Sequence, residues 1–148
     1  MPAYGDCRTA EVAASPQACF DALTAFEELP SWQGAVKEVK VLERDDEGRG
    51  AVVEYTVDAR LKTVRYRLRQ SYEEPHRIAS EYLGGDFRDF CGEWRLEPAG
   101  DGGTHVELDL RIDPGRFVPG PLRAAIGDAV MRRALRDLGT YFEPAASH

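Results

Sequence analysis

Bulky uncharged residues alternate with arginine or serine between residues 64 and 72. One set of positions holds valine, two tyrosines, leucine and glutamine, and the positions between them hold three arginines and a serine. Successive side chains of a β-strand point to opposite faces, so this alternation predicts a strand with one buried face. Residues 104–112 show the same pattern, with Val106, Leu108, Leu110 and Ile112 on the predicted inner face.

Five further segments read as strands, and turn-forming residues separate them. The predicted strands are 6–14, 36–42, 51–59, 77–83 and 87–97, and the predicted turns are 45–48, 60–62, 74–76, 84–86 and 98–103. The turns are rich in Gly, Pro and Asp, which suit tight turns. Connections this short favour a seven-stranded antiparallel sheet over β-α-β units.

Three segments have helical character. Ser15 and Pro16 provide a cap and a first-turn proline, and apolar residues follow at helical spacing as far as Phe26. Residues 27–32 suggest a second short helix that Pro30 ends. From Pro121, apolar residues recur every three or four positions, which predicts an amphipathic helix of about 20 residues. Its inward stripe is Leu122, Ile126, Ala129, Val130, Leu138, Tyr141 and Phe142.

This order of elements predicts an α+β fold forming one domain over residues 1–148, with a core of about 6–143. The last helix alone is long enough to cover the apolar face of the sheet. A twisted sheet wrapped around one helix encloses a cavity unless large side chains fill it. Alternation projects inward Tyr55, Tyr66, Leu68, Gln70, Ser80, Tyr82, Arg88, Phe90, Gly92 and Trp94. Several of these are polar-tipped, which favours a small-molecule cavity, and the alternative is a plain aromatic core.

Charge and composition narrow the function. The 148 residues carry a formal net charge of −7 without a basic stripe, so we expect neither nucleic acid nor an anionic membrane as partner. No signal peptide or spanning segment is evident, and the three cysteines suit reduced, partly buried thiols of a cytoplasmic monomer or homodimer. The histidines, His76, His105 and His148, are dispersed, so we expect no metal and no cofactor.

Taken together, several short motifs resemble the START-like (SRPBCC) superfamily of helix-grip proteins. The similarity is greatest to its bacterial polyketide cyclase/dehydrase and ubiquinone-binding-like branch, and it spans about residues 6–143. The motifs that carry it are Ser15-Pro16, Phe20-Asp21-Ala22-Leu23, Leu29-Pro30-Ser31-Trp32, Gly92-Glu93-Trp94-Arg95-Leu96-Glu97-Pro98 and Gly102-Gly103-Thr104-His105-Val106, followed by the final helix. The resemblance implies a helix-grip fold: a seven-stranded curved sheet around a long carboxy-terminal helix, with two short helices between the first two strands.

The resemblance also implies a hydrophobic ligand held between sheet and helix, but it fixes no reaction. Cyclases of the family use a cavity arginine ahead of a Pro-Asp pair, where this chain has Thr56-Val57-Asp58. A family tyrosine is also replaced near Gly34-Ala35. These two departures favour a binder or carrier of a small, partly oxygenated hydrophobic molecule, which is lipid-, quinone- or polyketide-like. The alternatives are a cyclase/dehydratase, with Arg88, Tyr55, Tyr66 and Tyr82 as catalytic candidates, and an interaction protein like the ribosome-associated toxin relatives.

Three predicted positions keep alternative interpretations. Trp32 either covers the ligand at the mouth or packs the short helix on the sheet. Arg88 either points inward or reaches solvent from a strand end. Gly92 marks either a bulge or a close approach of a ligand to the backbone. Separately, the arginines at positions 65, 67 and 69 are interpreted as part of a solvated outer face of the sheet. The predicted ligand-binding set is Trp32, Tyr55, Tyr66, Leu68, Gln70, Ser80, Tyr82, Arg88, Phe90, Trp94, Leu108, Leu110, Ile126 and Val130.

Overall fold

The computed structural model describes the backbone of residues 4–58, 63–113, 115 and 120–142 and the side chains of 6–58, 63–113, 115 and 127–142. The strands are β1 (Tyr4–Val12), β2 (Val36–Arg44), β3 (Gly50–Asp58), β4 (Thr63–Glu73), β5 (Arg77–Gly85), β6 (Asp89–Pro98) and β7 (Thr104–Asp113). The helices are α1 (Pro16–Thr24), a 3₁₀ helix (Phe26–Ser31) and α2 (Gly120–Tyr141).

The strands of the described residues form one antiparallel sheet in the order β1-β7-β6-β5-β4-β3-β2. Each strand from β2 to β7 pairs with the strand that follows it in the chain. The last strand, β7, also pairs with β1, so β1 and β2 form opposite edges of the sheet. The helix α1 and the 3₁₀ helix therefore carry the chain from one edge of the sheet to the other. The predicted helix-grip architecture is confirmed.

Helix α2 packs across the sheet and contacts β1 and β7. Its described inward stripe consists of Met131, Leu135 and Leu138, which are all buried and lie four and three residues apart. The sequence-based stripe contained Leu138 but missed Met131 and Leu135. Tyr141, predicted to face inward, is instead 49% exposed. Leu122 and Ile126 lie outside the side chains that the structure describes.

The first helix begins as its sequence predicts and ends earlier. The Oγ atom of Ser15 accepts a hydrogen bond from the backbone N–H of Ala18 at 3.1 Å, which is the expected cap. The α-helix stops at Thr24, and Phe26 opens the 3₁₀ helix rather than closing α1. Phe26 and Leu29 are both buried, so this short helix is packed on the sheet rather than forming a loose turn.

Strand β5 continues through the glycines that were predicted to break it. Gly84 and Gly85 have φ angles of 135° and 143°, and the register to β4 shifts between Arg67 and Leu68. A Cβ atom on Gly85 would lie 2.5 Å from the carbonyl oxygen of Arg65, so only glycine fits beside β4 here. The predicted turn at 60–62 falls outside the described residues.

The outer face of the sheet is charged and paired. Arg67 donates to Glu54 at 3.0 Å, and Arg65 donates to Thr56 at 3.3 Å. This agrees with a solvated outer face for the arginine row. Two cysteines, Cys7 and Cys91, occupy exposed positions of this sheet, so only Cys19 fits the expectation of a buried thiol.

No helix within the described part of the chain is long and apolar enough to cross a membrane. Across the same residues, no group of three or more His, Cys, Asp or Glu side chains is arranged to hold a metal ion. His105 is exposed and pairs with Glu11, and His76 lies in the turn before β5.

Candidate functional site

A cavity of about 150 Å³ lies between the concave face of the sheet and the helices. Its described walls come from α1, the 3₁₀ helix, α2 and every strand except β1. The walls are largely apolar, and the polar groups that reach them come mainly from the middle of the sheet. The lining residues are Leu23, Phe26, Leu29, Gln33, Ala35, Val36, Tyr55, Val57, Tyr66, Leu68, Gln70, Ile78, Ser80, Phe90, Gly92, Glu93, Trp94, Leu108, Leu110, Val130 and Ala134.

Stacked aromatic rings form one wall of the cavity. Tyr55 and Tyr66 are opposite one another on β3 and β4, and their ring centroids are 5.4 Å apart with planes inclined by 18°. Tyr66 also stacks on Phe90 at 5.1 Å, with an angle of 27°. Phe87 packs against Tyr66 at 5.2 Å from outside the lining set. Offset stacking of this kind holds the rings in place and presents a flat apolar surface.

A short chain of hydrogen bonds crosses three strands on the inner face. The Ser80 hydroxyl on β5 donates to Oε1 of Gln70 on β4 at 2.6 Å. The Nε2 atom of Gln70 donates to the hydroxyl oxygen of Tyr55 on β3 at 3.0 Å. Gln70 is 7% exposed, so this chain satisfies an amide that would otherwise be costly to bury.

The strand register explains why these polar groups meet. Gln70 lies directly opposite Ser80, and Ser80 lies directly opposite Gly92 on β6. A glycine and a serine in adjacent inward positions leave room that larger side chains would fill. A Cβ atom on Gly92 would lie 3.3 Å from the Cδ1 atom of Leu110, on the cavity wall. The cavity therefore depends on small residues at the centre of the sheet, and β6 runs through Gly92 without a register shift to β5 or β7.

The hydroxyl of Tyr66 has no hydrogen-bond partner among the residues that the structure describes, although the side chain is only 8% exposed. Each described side-chain nitrogen or oxygen that is fully buried does have a partner. The Tyr66 oxygen therefore borders open space. Burial raises the pKa of both Tyr66 and Tyr55 above the ordinary tyrosine value. Both groups consequently stay protonated at neutral pH, so each hydroxyl has a hydrogen that it can donate.

The predicted ligand-binding residues divide into three groups. Those that line the cavity are Tyr55, Tyr66, Leu68, Gln70, Ser80, Phe90, Trp94, Leu108, Leu110 and Val130. Three others are absent from its described walls: Trp32, Tyr82 and Arg88. The side chain of Ile126 lies outside the described side chains. Alternation along β3 to β7, which also placed Gly92 on the inner face, therefore located ten of the 21 described lining residues. Binding by these residues remains a prediction.

Arg88 does not point into the cavity. Strand β6 begins at Asp89, so Arg88 lies in the bend before it and the alternation from Phe90 does not extend that far. Its side chain is 59% exposed, and its Nε atom is 3.8 Å from a carboxylate oxygen of Asp113. Placing Arg88 on the inner face was wrong, and the alternative of a solvent-reaching strand end is the one the structure supports.

Tyr82 and Trp32 are both held by contacts outside the cavity. The Tyr82 hydroxyl donates to the backbone carbonyl of Phe87 at 2.6 Å, which fixes the bend after β5. The indole of Trp32 packs on the ring of Tyr141 with centroids 4.7 Å apart. Next to it, the backbone N–H of Gly34 donates to Asp137 at 2.9 Å. Trp32 thus joins the 3₁₀ helix to the end of α2, a contact that neither alternative included. It also packs on the cluster of Phe26, Leu29, Val39 and Val53, which is the predicted packing of the short helix on the sheet.

The wall formed by α1 and the 3₁₀ helix was missed by sequence reasoning. It contributes Leu23, Phe26, Leu29 and Gln33, followed by Ala35 and Val36 before and in β2. Leu23 and Phe26 had been recognised as the apolar face of a helix. Nothing in a helical period says whether that face meets a filled core or a void, so the signal was insufficient.

The described walls carry no cationic side chain. Glu93 is the charged residue among them, and its carboxylate accepts hydrogen bonds from Arg77 at 2.9 Å and Arg95 at 2.8 Å. Both arginines occupy outward positions of β5 and β6. Their hydrogen bonds, that of Arg77 above all, hold the pKa of Glu93 below its ordinary value, so it is ionised and engaged on the outer face.

The sequence matches the model of one protein family, described as "Polyketide cyclase / dehydrase and lipid transport", over residues 12–138. This chain belongs to that family. The match covers every described element of the cavity wall. Among curated proteins, none matches the sequence.

Solved structures of other proteins have the same fold as this chain. A START superfamily protein from Mycobacterium smegmatis has a TM-score of 0.86 at 23% identity, covering 93% of this chain and 96% of that one. The Zhui aromatase/cyclase from Streptomyces sp. R1128 has a TM-score of 0.79 at 18% identity, covering 99% of both chains. Identities this low establish a common fold, and the family's fold is compatible with hydrophobic ligand binding.

Proposed function

We propose that this protein binds a small hydrophobic, partly oxygenated molecule in its internal cavity and does not transform it. The observation that carries the proposal is an apolar cavity of about 150 Å³ bordered by a tyrosine hydroxyl without a described partner. Apolar concave sites with a few convergent polar groups are the usual form of small-molecule sites. A merely structural core would satisfy that hydroxyl internally.

The size of the cavity limits the ligand. A cavity of about 150 Å³ lined by aliphatic and aromatic residues admits benzene in another protein, whereas drug-sized ligands occupy about 300–1,000 Å³. The cavity here therefore suits a molecule of about one ring without rearrangement of the walls. An extended polyketide or lipid chain requires the cavity to open further.

The cyclase alternative has weaker support. Cyclisation of a polyketide by the expected mechanism needs a cationic group that polarises a carbonyl oxygen. Arg88, the residue assigned to that task, is exposed and lies beside Asp113. Tyr55 and Tyr66 have raised pKa values, so at neutral pH they are weak proton donors, and no phenolate is populated to act as a base.

Native mass spectrometry of the protein purified from its own host tests the proposal. We expect a fraction of the molecules to carry a non-covalent adduct with the mass of a one- or two-ring compound. A thermal-shift screen of small aromatic compounds should also identify stabilising ligands, since a ligand at a hundred times its Kd stabilises by about 2.7 kcal/mol.

Gly92→Val provides the matched variant, because its side chain would grow into the cavity from the inner face of β6. We expect this variant to lose at least about tenfold in ligand affinity, because the added side chain occupies cavity volume. The Cδ1 atom of Leu110, 3.3 Å from the new Cβ atom, must move slightly, so far-ultraviolet circular dichroism should confirm that the variant is folded. Gly100→Val is the control, because nothing lies within 4 Å of a Cβ atom there. Binding that is equally strong in both variants would place the ligand elsewhere and overturn the proposal.

A further inference from the structure

The hydrogen-bond chain on the inner face has a direction. The contact from Ser80 to Oε1 of Gln70 measures 2.6 Å, and the contact from Nε2 of Gln70 to Tyr55 measures 3.0 Å. Hydrogen bonds from a hydroxyl are typically shorter than those from an amide nitrogen, so the two lengths agree with an amide whose oxygen faces Ser80. The hydroxyl oxygen of Tyr55 therefore accepts a hydrogen bond.

A hydroxyl that accepts from Gln70 still has its own hydrogen to donate. No residue that the structure describes accepts the Tyr55 hydrogen, and Tyr55 lines the cavity. The neighbouring Tyr66 hydroxyl, on the adjacent strand, has no described partner either. The cavity consequently presents phenol O–H groups that need an acceptor, and a donor left unpaired in an apolar site is costly.

The charge of the walls restricts the acceptor. The described walls contain no cation, and the carboxylate of Glu93 is engaged by Arg77 and Arg95 on the opposite face. An anionic ligand would therefore lose its hydration without gaining a counter-charge, and a cationic ligand would do the same. A neutral oxygen acceptor avoids both costs.

The shape of the walls restricts the rest of the ligand. The ring of Tyr66 on β4 stacks on those of Tyr55 on β3 and Phe90 on β6, with interplanar angles of 18° and 27°. A flat unsaturated ligand is able to continue this stack, with its edge directed at the hydroxyl groups.

We propose that the cavity selects uncharged, flat molecules of about one ring that carry a carbonyl oxygen, and that this oxygen accepts the hydrogen of the Tyr55 hydroxyl. Ser80 and Gln70 act as positioning residues, since they orient the hydroxyl toward the ligand. The inference rests on the proposed function, because it concerns the ligand of the same cavity, and it involves binding alone.

Three probes of nearly equal size separate the contributions: acetophenone, which is a neutral acceptor, ethylbenzene, which has no polar group, and benzoate, which is charged. Titration calorimetry at neutral pH should rank acetophenone first. We expect ethylbenzene to bind about threefold to tenfold more weakly, the range given by one neutral hydrogen bond. Benzoate should bind at least about a hundredfold more weakly than acetophenone. The infrared carbonyl stretch of bound acetophenone should shift to lower frequency than in hydrocarbon solvent.

Two variants remove the proposed hydrogen bond in different ways. Tyr55→Phe deletes the donor, so acetophenone should lose its advantage over ethylbenzene and its carbonyl shift should disappear. Ser80→Ala frees the amide of Gln70 to rotate and accept from Tyr55, so it should weaken acetophenone binding while leaving ethylbenzene binding nearly unchanged. Tyr82→Phe is the control, since its hydroxyl bonds to the Phe87 carbonyl outside the cavity wall.

The outcomes distinguish this inference from the proposed function. If ethylbenzene binds as tightly as acetophenone and Tyr55→Phe alters neither, hydrophobic binding stands and the carbonyl preference is wrong. Tighter binding of benzoate would also refute the preference. If none of the probes binds to the wild-type protein, the proposed function and this inference fall together. Should Tyr55→Phe prove unfolded, the Ser80→Ala result and the infrared shift in the wild-type protein decide the matter.

Discussion

The two faces of strands β4, β5 and β6 carry polar groups of different kinds. Inner positions hold neutral groups, among them Gln70, Ser80 and Tyr66. On the outer face, Arg95 reaches carboxylates of three residues at 2.8 to 3.4 Å: Glu93, Glu107 and Asp109. Alternation along the strands places side chains on both faces of the sheet. Charged groups are on the exposed face and neutral polar groups on the buried face, because desolvating a charge costs far more free energy than desolvating an amide or a hydroxyl.

This difference bears on function. The charged side chains of the outer face contact water and form ion pairs with one another, so they do not require a ligand as a further partner. The inner chain has three members, of which Gln70 is buried and Ser80 and Tyr55 are partly buried. It ends on the Tyr55 hydroxyl, whose hydrogen no described residue accepts. Polar groups that stabilise a fold tend to be fully paired. The hydrogen of the Tyr55 hydroxyl has no described acceptor, and fold stability alone does not explain such a group. This exception on the inner face is the reason to expect a ligand there.

The largest expected effect comes from placing a charge on the inner face. Gln70→Glu keeps the shape of the side chain and introduces a carboxyl group at a position that is 7% exposed. Burial would raise the pKa of this carboxyl above its unfolded value of about 4.3, so the free energy of unfolding at pH 7 should fall by about 2–4 kcal/mol. The loss should be absent below about pH 4.3 and grow as the pH rises through the folded pKa.

Urea denaturation of Gln70→Glu and wild type across this pH range measures the effect. Ser71→Glu is the matched control, since Ser71 is the next residue of β4 and is exposed on the outer face. We expect this control to stay within about 0.5 kcal/mol of wild type at every pH. Equal costs for the two variants would contradict the distinction between the faces.

The fold followed from the sequence because its elements have distinct periods. The alternation at 64–72 and 104–112 located β4 and β7, and Ser15-Pro16 located the start of α1. The antiparallel order then followed from the short connections. Local periodicity fails where geometry changes at a strand end, and Arg88 was misplaced for this reason. It also fails where glycine permits an irregular strand to continue, as at Gly84 and Gly85.

The candidate site could be predicted only in part. Alternation located inward positions of β3 to β7, and the helical period located Val130 on α2. The strand positions that are on the cavity wall are ten: Tyr55, Tyr66, Leu68, Gln70, Ser80, Phe90, Gly92, Trp94, Leu108 and Leu110. The hydrogen-bond chain was not foreseen, since it depends on the register that sets Gln70 opposite Ser80. Nor does a sequence pattern give a cavity volume, which depends on how tightly side chains from distant elements meet.

A second prediction concerns the buried hydroxyl of Tyr66 at alkaline pH. Burial raises its pKa in the folded protein, so the unfolded chain releases this proton at a lower pH than the folded one does. The unfolded state is therefore favoured progressively as the pH rises above the unfolded tyrosine pKa of about 10. The free energy of unfolding of wild type should fall more steeply than that of Tyr66→Phe, by up to about 1.4 kcal/mol per pH unit.

Urea denaturation between about pH 9 and about pH 11 tests this difference in slope. A reducing agent is needed, because Cys7 and Cys91 are exposed. Near neutral pH, Tyr66→Phe should change stability little, since the deleted hydroxyl has no described protein partner. Parallel curves for the two proteins at alkaline pH would show that Tyr66 is not sheltered from water.

The smallest expected effect is on the outer face. Arg67 donates to Glu54 at 3.0 Å, but its side chain is 58% exposed, so water screens the pair. Arg67→Gln should lower the free energy of unfolding by at most about 0.5 kcal/mol, and the difference from wild type should shrink further when salt is added. Paired urea denaturation curves at low and high ionic strength measure it. A loss comparable to that of Gln70→Glu would mean that the outer charges hold the sheet together as strongly as the inner face does, and the contrast between the two faces would then lose its physical basis.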